Sequence, residues 1–285
     1  MKRAALIAVI VVLVGGGLYW MYERGQGRDI PDTPAAGTPT AGTCYKVDAD
    51  GAKAALPWPG EAVGCGDAHT VELYHIGQVP KDLLHRLDDA KGEDVKVVQA
   101  LLYAQARRVC VVEGPAFLGG DWHAARVQIV AAWIKPATDG FYGCGVATVT
   151  GPAGDRFTPR AGSLKGALAG ASALAAACIA DLRYVECTSP HDGEYAGVYT
   201  ITPPEAPFDE AGVKSAATRG CTAVGLTYLG LPANADRADL GPAAVGPKTA
   251  NDWLGSDQAF TCYLMSAKPL RSSVHNLGTA PLPLA

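Results

Sequence analysis

The same arrangement of cysteines occurs twice in this chain, and it constrains the fold more than any other feature. A Cys-x3-His-x2-Glu block stands at two places, first as Cys65, His69 and Glu72, and again as Cys187, His191 and Glu194. In each copy one cysteine precedes the block, Cys44 or Cys178, and two follow it, Cys110 and Cys144 in the first copy and Cys221 and Cys262 in the second. The repeated block and the repeated order of cysteines indicate an internal duplication with four cysteines in each unit.

Other residues keep the same order in both copies. Each copy has a Leu-Gly pair after its helix cysteine, an aromatic residue two places before its last cysteine and a tryptophan upstream of that. These are Leu118-Gly119, Tyr142 and Trp133 in the first copy, and Leu229-Gly230, Phe260 and Trp253 in the second. We expect both tryptophans to lie in the core.

The N-terminus has the pattern of a membrane anchor. Residues 4–22 carry no charged side chain and follow Lys2 and Arg3. This length is enough for a helix to cross a bilayer, and basic residues before it favour a cytoplasmic N-terminus at residues 1–3. A cleaved signal peptide is the alternative, but no Ala-x-Ala site follows promptly. The rest of the chain is therefore expected outside the cytoplasm at the cell membrane.

Composition divides the exported part into segments. A segment rich in Pro, Gly and Thr, residues 23–42, is typical of a tether. A second Gly- and Pro-containing segment, residues 151–161, is typical of a linker. The segments between and after them are a first domain at 43–150, a second domain at 162–267 and a Pro-rich tail at 268–285. The net charge is −4 and charges of both signs are interspersed, so the composition does not predict nucleic-acid binding.

An even number of cysteines in an exported chain predicts disulfides. The alternative is that the cysteines bind zinc. Structural zinc sites use closely spaced pairs, however, and neighbouring cysteines here are 9 to 45 residues apart within the two copies. We therefore expect no metal and no cofactor.

Each unit is expected to be α+β, with the order β-β-α-β-β. Strands are predicted around Cys44 and at 70–79, 126–134 and 141–149, and a helix at 95–113 that Asp94 caps and Gly114-Pro115 ends. In the second copy Asp209 is the expected helix cap, with Phe208 and Val213 placed as a hydrophobic staple. The architecture is one helix on an antiparallel sheet in each unit.

This arrangement favours one of the three possible disulfide connectivities in each unit. Alternation places Tyr142, Cys144 and Val146 on one strand face, which should meet the helix that carries Cys110. The predicted pairs are Cys44–Cys65, Cys110–Cys144, Cys178–Cys187 and Cys221–Cys262.

The His/Glu block is the polar feature that both copies share. In the second copy, Pro190 before His191 and Asp192-Gly193 after it indicate a turn that could bring His191 and Glu194 together as ligands. The favoured reading is structural: each histidine donates to a carboxylate or a backbone carbonyl and locks a turn beside a disulfide. Two residues in each unit are too few for a tight metal site.

No catalytic residue is predicted. Signatures such as Gly-x-Ser-x-Gly, His-Glu-x-x-His and the Walker A loop are missing from the sequence. Eight cysteines committed to disulfides leave no thiol for a Cys/His pair.

The segment "VECTSPHDGEYAGVYTI", with Cys178, Cys221, Trp253 and Cys262, resembles the septum-formation domain of actinobacterial envelope proteins. The resemblance covers most of residues 177–267 and, more weakly, 42–150, so two tandem copies are expected. In the first copy Asp67-Ala68 replaces Ser-Pro and Thr70 replaces Asp.

The resemblance implies a membrane-anchored, extracytoplasmic, disulfide-bonded protein of cell division or the envelope. Because enzyme motifs are missing and the domain is duplicated on a tether, we expect a non-enzymatic binding or scaffold module. Its expected partners are other envelope or membrane proteins or a cell-wall component. The alternative is an accessory single-pass subunit of a larger membrane complex, in which Gly15, Gly16 and Gly17 pack against another helix.

Overall fold

The computed structural model describes residues 39–53, 58, 60–134, 140–176, 178–202 and 208–285, without the side chains of Lys53, Trp133 and Ile134. The expected anchor at 4–22 and most of the tether lie outside the described residues. Within the described part, no helix has the length and apolar character needed to span a bilayer.

The first half of the described chain, residues 39–176, is an antiparallel five-stranded sheet with helices on one face. The strand order is β2-β1-β3-β5-β4. The strands are β1 Thr43–Lys46, β2 Glu61–Val63, β3 Val71–Gln78, β4 Val127–Ile134 and β5 Phe141–Thr148. Helices α1 Lys81–Asp89 and α2 Glu93–Leu118 connect β3 to β4, and short 3₁₀ turns lie at Gly51–Lys53 and Trp122–Ala124.

The second half, residues 178–285, has a sheet with the corresponding strand order, β7-β6-β8-β10-β9. Its strands are β6 Cys178–Ala180, β7 Arg183–Val185, β8 His191–Thr200, β9 Leu240–Val245 and β10 Ala259–Leu270. Helix α3, Glu210–Tyr228, lies between β8 and β9, and α4, Ala250–Leu254, lies between β9 and β10.

The predicted α+β class is confirmed, and the predicted element order needs one correction. Each half contains an additional strand of three residues, β2 or β7, which pairs with β1 or β6. Each half is therefore β-β-β-α-β-β with short extra helices. Three residues are too few to show the alternation from which a strand is recognised in a sequence.

The main helix of the first half differs from the prediction at both ends. It begins at Glu93 after Gly92, so Asp94 lies in the first turn and is not the cap. It continues past Pro115 to Leu118, which is fully buried, and ends at Gly119 in the left-handed region. In the second half Leu229 is also buried and Gly230 also has positive φ. The repeated Leu-Gly pair thus joins a core anchor to a left-handed helix end.

The other predicted helix start is confirmed. The side chain of Asp209 accepts a hydrogen bond from the backbone N–H of Gly212 at 3.0 Å. Phe208 and Val213 belong to one hydrophobic cluster, as the staple requires.

The cores lie where the sheets meet their helices. Tyr142, Cys144 and Val146 share a cluster with Leu102 and Cys110 of α2, so the predicted strand face is confirmed. Phe260 and Cys262 likewise pack with Cys221 of α3, and Trp253 is buried in the same cluster. In the first half a second cluster, which includes Trp58, covers the opposite sheet face. The side chain of Trp133 lies outside the described residues.

All eight cysteines are paired in the predicted connectivity: Cys44–Cys65, Cys110–Cys144, Cys178–Cys187 and Cys221–Cys262. The first pair of each half joins neighbouring parts of the sheet, and the second pair joins the helix to a central strand. The disulfides therefore crosslink each half internally and not one half to the other.

Both halves end in an ordered segment that returns over the helix. Residues 162–168, expected at the start of the second domain, pack on the first half: Leu164 is buried in the first core, and Gly166 and Leu168 donate to the carbonyls of Phe117 and Leu118. Residues 268–285, expected as a Pro-rich tail, contain the fully buried Leu270 and Val274. Turn and proline signals do not report such packing, because it depends on contacts with residues about 50 positions away.

The two halves contact each other. Helix α4 of the second half packs on α2 of the first, where the Cα of Gly255 faces Ala104 with too little room for a larger side chain. An isolated antiparallel β-bridge pairs Ala125 with Ala175, close to the point where the chain enters the second half.

We expect the long disulfide loops to contribute more stability than the short one. Cys221–Cys262 separates its cysteines by 41 residues and Cys178–Cys187 by 9. Loop-closure entropy gives about 4 kcal/mol for the first and about 3 kcal/mol for the second. Urea unfolding should therefore show a larger loss for Cys221→Ala/Cys262→Ala than for Cys178→Ala/Cys187→Ala. Equal losses, or the reverse order, would contradict this account.

Candidate functional site

The histidine of each Cys-x3-His-x2-Glu block closes a turn. The Nδ1 atom of His69 lies 2.8 Å from the carbonyl oxygen of Asp67, and Nδ1 of His191 lies 2.8 Å from that of Ser189. Because a carbonyl oxygen only accepts, Nδ1 carries the proton in both rings. Both side chains are buried, at 1 % exposure. Each histidine therefore closes its turn through a hydrogen bond to the backbone carbonyl two residues before it.

The glutamate of the first block holds the segment that follows the last strand. Glu72 is buried, and its Oε1 accepts a hydrogen bond from the hydroxyl of Ser163 at 2.5 Å. Its Oε2 accepts from the backbone N–H of Leu164 at 2.6 Å. A residue of β3 therefore binds a segment about 90 positions further along the chain.

The second half repeats this contact with different neighbours. Glu194 accepts from the hydroxyls of Ser273 and Tyr228, the latter at 2.6 Å, and from the N–H of Val274 at 2.7 Å. Burial, and then the hydrogen bond to Glu194, raise the pKa of Tyr228, which keeps its hydroxyl a donor. In the first half Phe117 occupies the position of Tyr228, so Glu72 lacks this hydroxyl.

We call each arrangement a carboxylate clamp: a buried glutamate with the Ser-Leu or Ser-Val pair that it binds. Ser163 and Ser273 each also accept the N–H two residues later, from Lys165 and His275. The matching hydrogen bonds extend to the helix ends, from Gly166 to Phe117 and from Asn276 to Tyr228. The clamps thus fasten the same return segment in both halves.

The described structure does not bring His191 and Glu194 together as a ligand pair. The histidine binds its own turn and the glutamate binds the clamp, and the same separation holds for His69 and Glu72. On a strand, residues three apart lie on opposite faces, and β8 begins at His191.

Two sets of potential ligand atoms do converge, but their chemistry does not suit a metal. In each half a glutamate oxygen and two cysteine sulfurs lie within 4.8 Å of one another: Glu72 with Cys44 and Cys65, and Glu194 with Cys178 and Cys187. The sulfurs are bonded to each other, so neither is a thiolate. One carboxylate is left in each set, which is too little for zinc.

A second polar cluster lies where the two halves meet, and sequence reasoning missed it. His123, in the 3₁₀ turn after α2, binds Asp121 through Nδ1 at 2.8 Å and Asp257 of the second half through Nε2 at 3.3 Å. The histidine side chain is 8 % exposed. The signal was that the first copy follows Leu118-Gly119 with an Asp-Trp-His run that the second copy lacks.

The electrostatics of this cluster favour a charged histidine. Burial alone lowers the pKa of His123, but the hydrogen bonds that it donates to Asp121 and Asp257, together with their negative charges, raise it to about 9. The hydrogen bond from His123 lowers the pKa of Asp121. Burial raises the pKa of Asp257, yet contact with His123 outweighs this and lowers it. The result is a carboxylate–imidazolium–carboxylate bridge between the halves.

A cleft of about 320 Å³ opens beside this bridge. The first half contributes Trp122 and Gln128 to its wall, and the second half contributes Tyr184 and Lys248. Arg126 at its edge binds Glu186 at 3.3 Å and lies over the Tyr184 ring at 5.6 Å. The cleft therefore exists only when the two halves are joined.

Comparison with known proteins gives one family. The family model described as Septum formation matches residues 41–262 in a single match, which is more than half of the chain. The match spans both halves, whereas the resemblance seen in the sequence assigned a separate copy of the domain to each. No curated protein and no solved structure matches this chain.

Glu194→Ala should strongly destabilise the protein, because three buried or partly buried donors lose their acceptor. Each unsatisfied donor costs about 1–3 kcal/mol, so we expect a loss of about 4 kcal/mol in the free energy of unfolding. Urea denaturation measures it. Glu113→Ala, at an exposed position on α2, is the control and should change stability by less than about 0.5 kcal/mol. A Glu194→Ala protein as stable as the control would show that the clamp contributes nothing.

The His123 bridge should make stability depend on pH. The folded-state pKa is about 9, above the ordinary 6.5, so the contribution is fully present below pH 6.5 and is lost as pH rises through 9. The lowered pKa values of Asp121 and Asp257 add stability that is lost as pH falls below their ordinary 3.8. Compared with His123→Gln, the natural protein should gain most between pH 4 and pH 6.5. Unfolding curves of the two proteins at pH 5, 7 and 10 measure this, and a constant difference would overturn it.

Proposed function

This chain belongs to the septum-formation family, whose role lies in cell division or the cell envelope, and on that premise we propose a binding or scaffold function. The protein would be anchored in the cell membrane by residues 4–22, with the two sheets outside the cytoplasm, and would act without catalysis. Its partners would be other envelope or membrane proteins or a component of the cell wall.

The observation that carries this proposal is the use of the repeated polar motif. Both histidines and both glutamates bind the chain's own backbone and side chains, and all are buried. Catalysis needs a group that reaches substrate, and these four groups serve the fold instead. The family is likewise not a known enzyme family.

The cysteines support the proposed location outside the cytoplasm. All eight are in disulfides, and such crosslinks form and persist in oxidising surroundings outside the cytosol. The uncharged run at 4–22 with basic residues before it supplies the matching membrane signal.

We further propose that the two halves arose by duplication. They have the same strand order, the same disulfide connectivity and the same carboxylate clamp. The single family match then corresponds to a duplicated unit that acts as one body. Two related surfaces on one tether also allow avidity for a repetitive partner.

The second candidate is an accessory subunit of a larger membrane complex. It is favoured by Gly15, Gly16 and Gly17 in the apolar run, because small residues let membrane helices approach closely. In that case recognition lies in the membrane and not in the exported halves.

Crosslinking pull-down from membranes tests the proposal, with the full chain as bait. We expect the chain to sediment with membranes, to be accessible to protease from outside the cell and to recover an envelope partner. Failure to recover any partner above background, or protection of the two halves from external protease, would overturn it.

A triple variant separates the two candidates. Replacing Gly15, Gly16 and Gly17 with leucine keeps the run apolar and changes only its helix-packing surface. Partner recovery should be unchanged if the exported halves bind the partner. Loss of recovery with unchanged membrane insertion would favour the accessory subunit.

A further inference from the structure

The side chains that line the cleft between the halves are typical of a ligand-binding site. Its volume of about 320 Å³ is at the lower end of the range for small-molecule sites. Both halves supply wall residues, and the His123 bridge to Asp257 fixes their relative position at its base. Sites at the junction of two bodies are common for this reason.

The rings of Trp122, Tyr184 and Tyr263 line the cleft; Tyr263 is buried, whereas Trp122 and Tyr184 are only half-buried. The His123 ring packs on Trp122 with 3.8 Å between centroids, and the guanidinium of Arg126 covers Tyr184. These neighbours hold the rings in place. An aromatic face carries partial negative charge, and it attracts weakly positive C–H groups that lie on one face of a saturated ring.

The charges around the cleft balance. His123 and Lys248 are positive and Asp252 and Asp257 are negative, so the lining has no net charge. Asp257 is paired with His123, and Asp252 accepts backbone hydrogen bonds as part of a helix cap. An anionic ligand or a basic peptide would need an excess of one sign.

Two polar groups of the lining, the ammonium of Lys248 and the Oε1 of Gln128, have no hydrogen-bond partner among the described residues. The Nε1–H of Trp122 also lacks a partner, but it is buried behind the cleft wall. Lys248 is exposed and Gln128 is partly exposed. The set contains donors and an acceptor, and hydroxyl groups of a ligand can serve as partners for both.

We propose that this cleft binds one or two sugar rings of a carbohydrate. Sugar rings present C–H faces to aromatic rings and neutral hydroxyls to mixed donors and acceptors, which is the combination found here. This proposal rests on the proposed function in one respect, the location of the two halves outside the cytoplasm. Cell-wall polysaccharide would supply the sugar there. It adds the ligand class and the residues that bind it.

Titration of the full chain with two oligosaccharides tests the proposal. The probes are the β-1,4-linked tetramer of N-acetylglucosamine and maltotetraose, with tetralysine as the charged comparison. The protein is kept in a detergent without a sugar headgroup, because such headgroups would compete. Calorimetry measures the dissociation constant, and we expect a value of about 1 mM or lower for at least one oligosaccharide.

Single substitutions locate the binding. Gln128→Met removes the amide oxygen, and Lys248→Met removes the ammonium at an exposed position where folding is not at risk. Each should raise the dissociation constant about three- to ten-fold, as expected for one lost hydrogen bond. Lys214→Met, at an exposed site on α3, is the matched control and should leave it unchanged.

Three outcomes would overturn the proposal. They are failure of both oligosaccharides to bind, saccharide binding that neither Gln128→Met nor Lys248→Met weakens, and binding of tetralysine in preference to the sugars. None of these touches partner recovery in the pull-down, so the proposed function and this ligand class fail separately.

Discussion

The buried carboxylate clamp is the interaction on which each half depends. Glu72 and Glu194 lie on the central strand of their sheets, and each accepts one backbone N–H and at least one hydroxyl from the return segment. A buried carboxylate is costly unless its oxygens are hydrogen-bonded, so the glutamate and the segment need each other. The clamp places Leu164 or Val274 in the core and lets the returning chain cap the helix end. Without it, a disulfide would still hold helix to sheet, but the end of the core would lie open.

The disulfides and the clamps stabilise the halves in different ways. A disulfide acts mainly by restricting the unfolded chain, whereas a clamp acts in the folded state through satisfied polar groups. Disulfide sulfurs and clamp oxygens lie within 4.8 Å of one another in both halves. This concentrates covalent and polar support at one end of each sheet. The two halves differ in the parts that these supports do not fix. The first half has the Trp122–His123 turn, which contacts the second half.

Beside the close contact of α4 with α2, the junction between the halves is polar, and this sets it apart from the cores. Its central contact is a histidine held between carboxylates from different parts of the chain, and its neighbours are aromatic hydroxyls such as those of Tyr184 and Tyr263, 3.3 Å apart. Burial is the main cause of the raised pKa values of both tyrosines, so their hydroxyls stay protonated. Polar junctions of this kind fix the orientation of two bodies and leave room for a wet cleft, which close hydrophobic packing would exclude.

The sequence by itself determined the features that depend on spacing and local pattern. These are the cysteine pairing, the four main strands of the first half, the helix start at Asp209 and the strand face of Tyr142, Cys144 and Val146. Only the tertiary structure decided what Glu72 and Glu194 bind, that residues 162–168 and 268–285 complete the halves, and that His123 meets Asp257. Those contacts join residues about 50 to 130 positions apart. Periodicity and turn chemistry act over a few residues, so they carry no information about which distant donor fills a buried acceptor.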